Sequence, residues 1–245
     1  MKKSKGILKT VVLSMLIALG VVISPILRFE GMCPMAHFIN IVCSVLLGPW
    51  YSLLCATLIG IIRMAIMGIP PIALTGAIFG AYLSGVFYRM SKGKILFAVL
   101  GEIIGTGIIG AVLSYPVMTV FWGKEGLSWM FYVPSFICGT LIGGSIAFVF
   151  LRKLSNTGML SKFQIMLSEK SYTDKSGVVS NAVAIAAFGV ICFLVIKILT
   201  DIFKMDSPIY SYIAYLALAA FVLAAVLYFA VKKRKGADKS DGRGN

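Results

Sequence analysis

At 245 residues, 59% of them hydrophobic and 13% charged, with a mean hydropathy of +0.96, the chain falls outside the range of soluble domains, where about a quarter of residues are charged. It reads as an all-α, polytopic integral membrane protein. Its formal net charge of +14 does not make it a nucleic-acid binder, because such a protein collects its cations on one exposed face of a folded module, whereas these lie between apolar runs.

The first apolar segment, near Leu8 to Leu27, follows the basic leader MKKSKGILK. A signal peptide would be shorter and would end in a small-x-small cleavage site, so a transmembrane helix is expected. Gly6, Thr10, Ser14 and Ala18 recur every fourth residue along it, a stripe of small side chains against which another helix could pack closely. The loop that follows brings Arg28, Glu30, Cys33 and Pro34; Arg28 and Glu30 read as a solvated pair. A second helix is expected from Ala36 to Leu47. It opens on His37, the single histidine, and places Asn40 one turn on, so both can project toward the same space. His37 can be read as a capping or interfacial residue, but its place at the mouth of a short helix favours a ligand contact.

The stretch Leu47-Gly48-Pro49-Trp50 then breaks the apolar run, since proline cannot donate to the preceding turn and glycine commonly ends helices. The second helix is too short to span alone, and such segments are tolerated where they are buried in protein or border a cavity. Trp50 reads as an interfacial aromatic. The third helix, Tyr51 to Met67, carries Arg63, either an interface anchor or a donor facing a cavity. A fourth is expected at Ile72 to Tyr88 and a fifth at Ile95 to Phe121. The fifth holds Glu102, with Thr106 and Gly110 at steps of four on its face, while Gly101 and Gly105 permit close approach of another helix. A carboxylate at this depth is costly, so Glu102 is either bonded across a helix pair or a ligand contact. Depth places it apart from Arg63. Tyr115 offers a stacking face and a hydroxyl farther along. The sixth helix is expected at Met130 to Leu151.

Residues 154 to 177 are polar and read as a linker to two further helices, Val178 to Thr200 and Ile209 to Val231. Lys197 lies near the end of the first of these and is expected to snorkel. The final 232 to 245 is poor in apolar residues and reads as a basic disordered terminus. The domains are thus 1 to 153, a six-helix core; 154 to 177, a linker; 178 to 231, a two-helix tail; and 232 to 245. Lys and Arg cluster before the first helix, after the fourth, after the sixth and after the eighth, while the opposite loops hold only Arg28, Lys124 and Lys204. By the positive-inside rule both termini are cytoplasmic and His37 lies outside.

Several chemistries lack their residues. No GxxxxGK[ST] phosphate loop is present, and no GxSxG elbow. One histidine and no clustered membrane carboxylates leave too few zinc ligands. Five cysteines, Cys33, Cys43, Cys55, Cys138 and Cys192, form no C-x-x-C pair and read as small apolar fillers. A non-enzymatic binding or transport protein remains, with no catalytic residue and no bound metal expected.

The residues that narrow this further are CPMAHFINIVCSVLLGPWYSLLCATLIGIIR, the FYRMSKGK loop and LGEIIGTGIIGAVLSYPV. Over about residues 7 to 153 the chain resembles the ThiW family: P-x-x-H-x-x-N, LGPWY, the arginine after IGII and GE-x-x-GTG-x-x-G-x-x-x-x-YP occur in order at family-like spacing. The resemblance implies the substrate-capture S-component of an energy-coupling-factor (ECF) transporter handling hydroxyethylthiazole, the thiazole precursor of thiamine. It implies docking on a transmembrane coupling protein with two ATPase subunits, which hydrolyse ATP so that this chain needs no cofactor. Docking would use the first helix, where Ser14 and Ala18 stand at the spacing of an AxxxA-like pattern. The ligand would sit near His37, Asn40 and Arg63, with Glu102 deeper and Tyr115 or Phe38 stacking on its ring. Alternatives are an S-component for hydroxymethylpyrimidine or thiamine, and a membrane-embedded regulatory or assembly subunit acting through its tail. The resemblance gives no role to residues 154 to 245.

Overall fold

The computed structural model describes residues 2–26, 28, 32–167, 172, 178–202 and 207–241. Among them the six expected core helices form in order: α1 (Lys2–Ile23), α2 (Pro34–Leu47), α3 (Pro49–Met67), α4 (Ile72–Met90), α5 (Ile95–Trp122) and α6 (Val133–Asn156). Helix α1 begins inside the basic leader rather than after it. With Pro208–Lys232 near the C-terminus, the long members α1, α3, α4, α5 and α6 are apolar and long enough to cross a bilayer. The protein is a multi-pass, all-α membrane protein.

Helix α2 is the centre of its unit. Its 14 residues reach about 21 Å at 1.5 Å per residue, against roughly 30 Å for a hydrocarbon core. All but Met35, Phe38 and Leu46 are buried, because α3, α4, α5 and α6 surround it and α1 closes one side. A short helix at this place is screened by protein along most of its length, which removes the need to span. On the α1 side the seam contains Leu13, Ile39, Cys43, Leu47, Cys55 and Ile59, flanked by Leu8, Val12, Leu16 and Ile17.

The break after α2 is set by Gly48, whose φ of +93° lies in the left-handed region that favours glycine. Its N–H closes the α2 ladder on the Ser44 carbonyl at 3.0 Å, and Pro49 starts α3 without needing a donor. The guanidinium of Arg89, at the end of α4, lies where a Gly48 side chain would stand. Helices α4 and α5 pack backbone to backbone. A methyl on Gly105 would stand 2.6 Å from Gly80 Cα, and one on Gly101 would stand 2.5 Å from the Leu83 carbonyl, the close approach that the glycines of the fifth segment suggested. The middle of α5, Ile103–Gly110, is wound as a π-helix.

Where a polar linker is expected, α6 continues to Asn156 and a further helix, α7 (Met159–Leu167), folds back onto the core. Leu160, Gln164 and Leu167 form its buried face, and Leu167 joins the α1–α2–α3 seam. The Gln164 amide donates to the Val45 carbonyl (3.0 Å) and to the Tyr88 hydroxyl (2.9 Å), and its oxygen accepts the Tyr172 N–H at 3.1 Å. Gln164→Leu is therefore expected to cost about 1–3 kcal/mol in detergent unfolding, the penalty of stranding buried polar groups. Lys162→Ala, on the exposed side of the same helix, should leave the transition unmoved.

The chain divides into two compact units, Met1–Asp174 and Lys175–Asn245. In the second, α8 (Val178–Ile202) and α9 (Pro208–Asp241) form a hairpin. Asn181 donates to the Tyr228 hydroxyl at 2.9 Å, Gly189 faces Phe221, and Lys197 donates to Ser211 at 3.0 Å. Partner numbers that fall as the chain advances mark the two helices as antiparallel. Lys197, expected to snorkel, is held by Ser211 and the Tyr215 ring, 5.6 Å from its ammonium. Helix α9 continues to Asp241, so the segment expected to be disordered is helical up to that residue.

Candidate functional site

The site lies where α2 begins. Cys33 precedes the helix and Pro34 opens it, a position in which a missing N–H costs nothing. The first turn of α2 rests on a glycine face of α6: the Pro34 carbonyl occupies the space of a Gly143 side chain, and His37 Nε2 would stand 3.4 Å from a methyl on Gly139. This contact places His37 at the wall between α6 and the interior.

Behind His37 is a polar layer enclosed on all sides. His37, Asn40, Glu102 and Thr106 are 6%, 2%, 0% and 0% exposed. Glu102 Oε1 lies 2.9 Å from His37 Nδ1, accepts the Asn40 amide at 2.9 Å and accepts the Thr106 hydroxyl at 3.2 Å. Asn40 and Thr106 bring protons to this oxygen, so it acts as an acceptor, and the contact with His37 is favourable only with the proton on Nδ1. Glu102 thereby fixes the imidazole's tautomer and plane, leaving Nε2 as the ring nitrogen on the opposite side. Asn40 also donates to the Ala77 carbonyl at 3.3 Å, so α4 and α5 position its amide, while Ser52 of α3 donates to the Asn40 backbone carbonyl at 2.9 Å. Gly80 makes room for the carboxyl: a methyl there would overlap the Thr106 hydroxyl and lie 2.8 Å from Glu102 Oε2.

In front of His37 is a cavity of about 50 Å³, lined by Arg28, Cys33, Ala36, His37, Arg63 and Phe136 together with a wall from α4 and the loop before it. Arg28 is exposed, so the cavity meets the surface there. Arg63 is 3% exposed. Its Nη2 donates to Cys33 Sγ at 3.5 Å, while its Nε has no partner.

Of the residues singled out in the sequence, His37 and Arg63 face the cavity, and Asn40 and Glu102 form the layer behind. Glu102 is not bonded to Arg63, in keeping with their different depths. Tyr115 does not join them; its ring meets Trp129, with centroids 4.6 Å apart. Phe38 likewise turns away, to Phe150. The aromatic ring in the cavity wall is Phe136, which the sequence reading did not single out. A signal for it existed: Phe136 shares a helical face with Gly139 and Gly143, three and seven residues on, the face that receives α2. Arg28, read as half of a solvated pair, is exposed and also lines the cavity mouth, and Glu30 lies outside the described residues. On α1, Gly6, Thr10, Ser14 and Ala18 are all exposed, on the side of the helix turned away from the seam with α2 and α3.

No curated protein and no solved structure matches the chain. A profile of the thiamine-precursor transporter protein (ThiW) family matches residues 10–157, more than half of the chain and the whole of α2 to α6, which contains the cavity and its polar layer. The chain belongs to the ThiW family of thiamine-precursor transporters.

Proposed function

We propose that this protein is the substrate-capture component of an ECF-type transporter, and that its cargo is a thiazole of the hydroxyethylthiazole type. The observation that carries the reading is the locked His37. A buried carboxylate holds the imidazole from behind, so the ring and the Arg63 guanidinium line the cavity already fixed, without cost of ordering when a ligand arrives. A five-membered heteroaromatic ring offers the matching acceptors. Phe136 is the stacking partner, in the role that Tyr115 was expected to play, and its ring swings off Gly76 to admit the heterocycle, since it now fills the space where a Gly76 side chain would be. Asn40 and Glu102 act through His37 rather than on the ligand.

The basic segments at both ends and after α4 and α6 support cytoplasmic termini, with the cavity mouth at Arg28 facing outside. Capture from outside then calls for partners that supply energy, because the chain has no phosphate loop of its own. The exposed small-residue side of α1 suits docking on a coupling protein that carries two ATPase subunits.

Isothermal calorimetry on the purified protein tests the ligand. Saturable binding of hydroxyethylthiazole is expected. No binding up to about 1 mM, where affinity has fallen to roughly −4 kcal/mol, with tight binding of hydroxymethylpyrimidine or thiamine, would overturn the substrate. Docking has a separate readout. Ala18→Trp should abolish uptake into cells while leaving the calorimetric affinity within about twofold of the parent, because Ala18 is exposed and remote from the polar layer. An unchanged uptake rate would remove α1 as the docking face.

A further inference from the structure

The cavity is cationic, and no described residue in its wall balances it. Among the described residues Arg63, itself buried, has one weak acceptor, the Cys33 sulfur, and its Nε has no partner. A guanidinium stays protonated at any physiological pH, and a buried charge without a partner is strongly unfavourable. Arg28 adds a second positive group at the mouth. No carboxylate is found in the lining among the described residues. The one buried carboxylate among them, Glu102, belongs to the polar layer: its Oε1 is shared by His37, Asn40 and Thr106, and its Oε2, which has no hydrogen-bond partner, is turned against Gly80. The start of α2, which supplies Cys33, Ala36 and His37 to the wall, adds the positive end of a helix dipole.

We propose that the cavity recognises a ligand bearing an oxyanion, a carboxylate or a phosphate monoester, with the planar fork of Arg63 as its partner and Arg28 as the steering charge at the mouth. The proposal rests on the cavity being the capture site, and it changes the preferred cargo from the neutral thiazole alcohol to an anionic relative. A guanidinium fork matches two oxygens of either anion, whereas one hydroxyl leaves most of its donors idle. The Cys33 sulfur is the ligand's placeholder: a weak acceptor that an oxyanion displaces readily.

The test is a calorimetric panel on the unaltered full-length protein at constant ionic strength: hydroxyethylthiazole, its phosphate monoester, 4-methylthiazole-5-carboxylate and inorganic phosphate. At least one of the two anionic thiazoles should bind about tenfold or more tighter than the alcohol, as expected of a charge-assisted pair over a neutral one, and that preference should shrink as salt is raised. Arg63→Gln should weaken both classes but erase the preference, lowering affinity for the favoured anionic thiazole at least about tenfold more than affinity for the alcohol, and Arg63→Lys, which keeps the charge but not the fork, should restore part of the preference. An alcohol that binds as tightly as both anionic thiazoles in the parent overturns the proposal, whatever the variants do, and leaves the thiazole reading standing. Conversely, if no thiazole binds but benzoate, added as a probe, binds in an Arg63-dependent way, the oxyanion site holds and the thiazole assignment falls.

Discussion

Replacing Glu102 with alanine should cost more than any other single truncation in the core and should abolish ligand binding with it. The carboxyl oxygen Oε1 accepts from His37, Asn40 and Thr106 at once, and all four residues are shut away from solvent. Alanine leaves three donors facing an apolar hole. Two magnitudes bracket the loss. Hydrogen bonds between membrane helices average only about 0.6 kcal/mol each, because the unfolded state in the membrane also finds partners, so the two that reach Glu102 from α2 set a floor of roughly 1 kcal/mol. Breaking a buried charged contact in one partner sets the ceiling near 5 kcal/mol. Glu102→Gln keeps a carbonyl oxygen that can serve Asn40 and Thr106, so its loss should be smaller, about 1–3 kcal/mol. Binding should suffer in both, since the imidazole loses the group that orients it. Equilibrium unfolding in mixed micelles, read beside calorimetry, checks this. An alanine variant within about 0.5 kcal/mol of the parent, the range of ordinary surface substitutions, would mean that the polar layer is not what holds α2 to α5.

The second large effect is expected from a single methyl group. Gly105→Ala would place a carbon 2.6 Å from Gly80 Cα and N, closer than any backbone contact allows, and backbone cannot rotate out of the way as a side chain can. Helices α4 and α5 must move apart, at a cost of about 1–3 kcal/mol or more. The movement carries Glu102 away from His37, so affinity should fall in parallel with stability. Gly6→Ala is the control. A methyl there meets nothing within 4 Å, and relief of glycine's helix penalty should stabilise the protein by up to roughly 1 kcal/mol. Equal effects of the two substitutions would show that close backbone packing between α4 and α5 is not needed.

The helices were legible because membrane helices announce themselves by length and by their breaks. Gly48-Pro49 marks one break, and the runs around it are too apolar for other structure. The close approach of α4 to α5 was legible from Gly101 and Gly105. The pairing of His37 with Glu102 was not, since the two are separated by 65 residues and no periodicity says which faces meet. The choice of Tyr115 failed for a related reason. A helix apolar on all sides gives no signal of its rotation, so the aromatic that faces a cavity cannot be told from one that faces Trp129. Helix α7 was missed because Lys162 and its polar neighbours resemble a linker, although Leu160, Gln164 and Leu167 already fall at helical spacing. Gln164 reads as a surface residue until its two acceptors, Val45 and Tyr88, are placed beside it. The helical end of α9 shows the reverse, a charged segment continuing a helix that its composition alone would not begin.

The π-wound stretch of α5 bears on how this fold can vary. Where the Ala111 N–H reaches back to the Thr106 carbonyl, five residues earlier, one residue more is held per hydrogen-bonded turn than in an α-helix. Such a stretch is a register reserve. Deleting one residue within Ile103–Gly110 would let the ladder relax toward α geometry and take up the loss, whereas the same deletion in a plain α-helix turns everything beyond it by about 100°, at 3.6 residues per turn. Ser114, Tyr115 and Met118 would keep most of their present facing while the carboxylate kept its place. The half of α5 that anchors the polar layer and the half that leads on toward Trp122 are therefore buffered from each other, and a one-residue length change between them can be absorbed without re-aiming either.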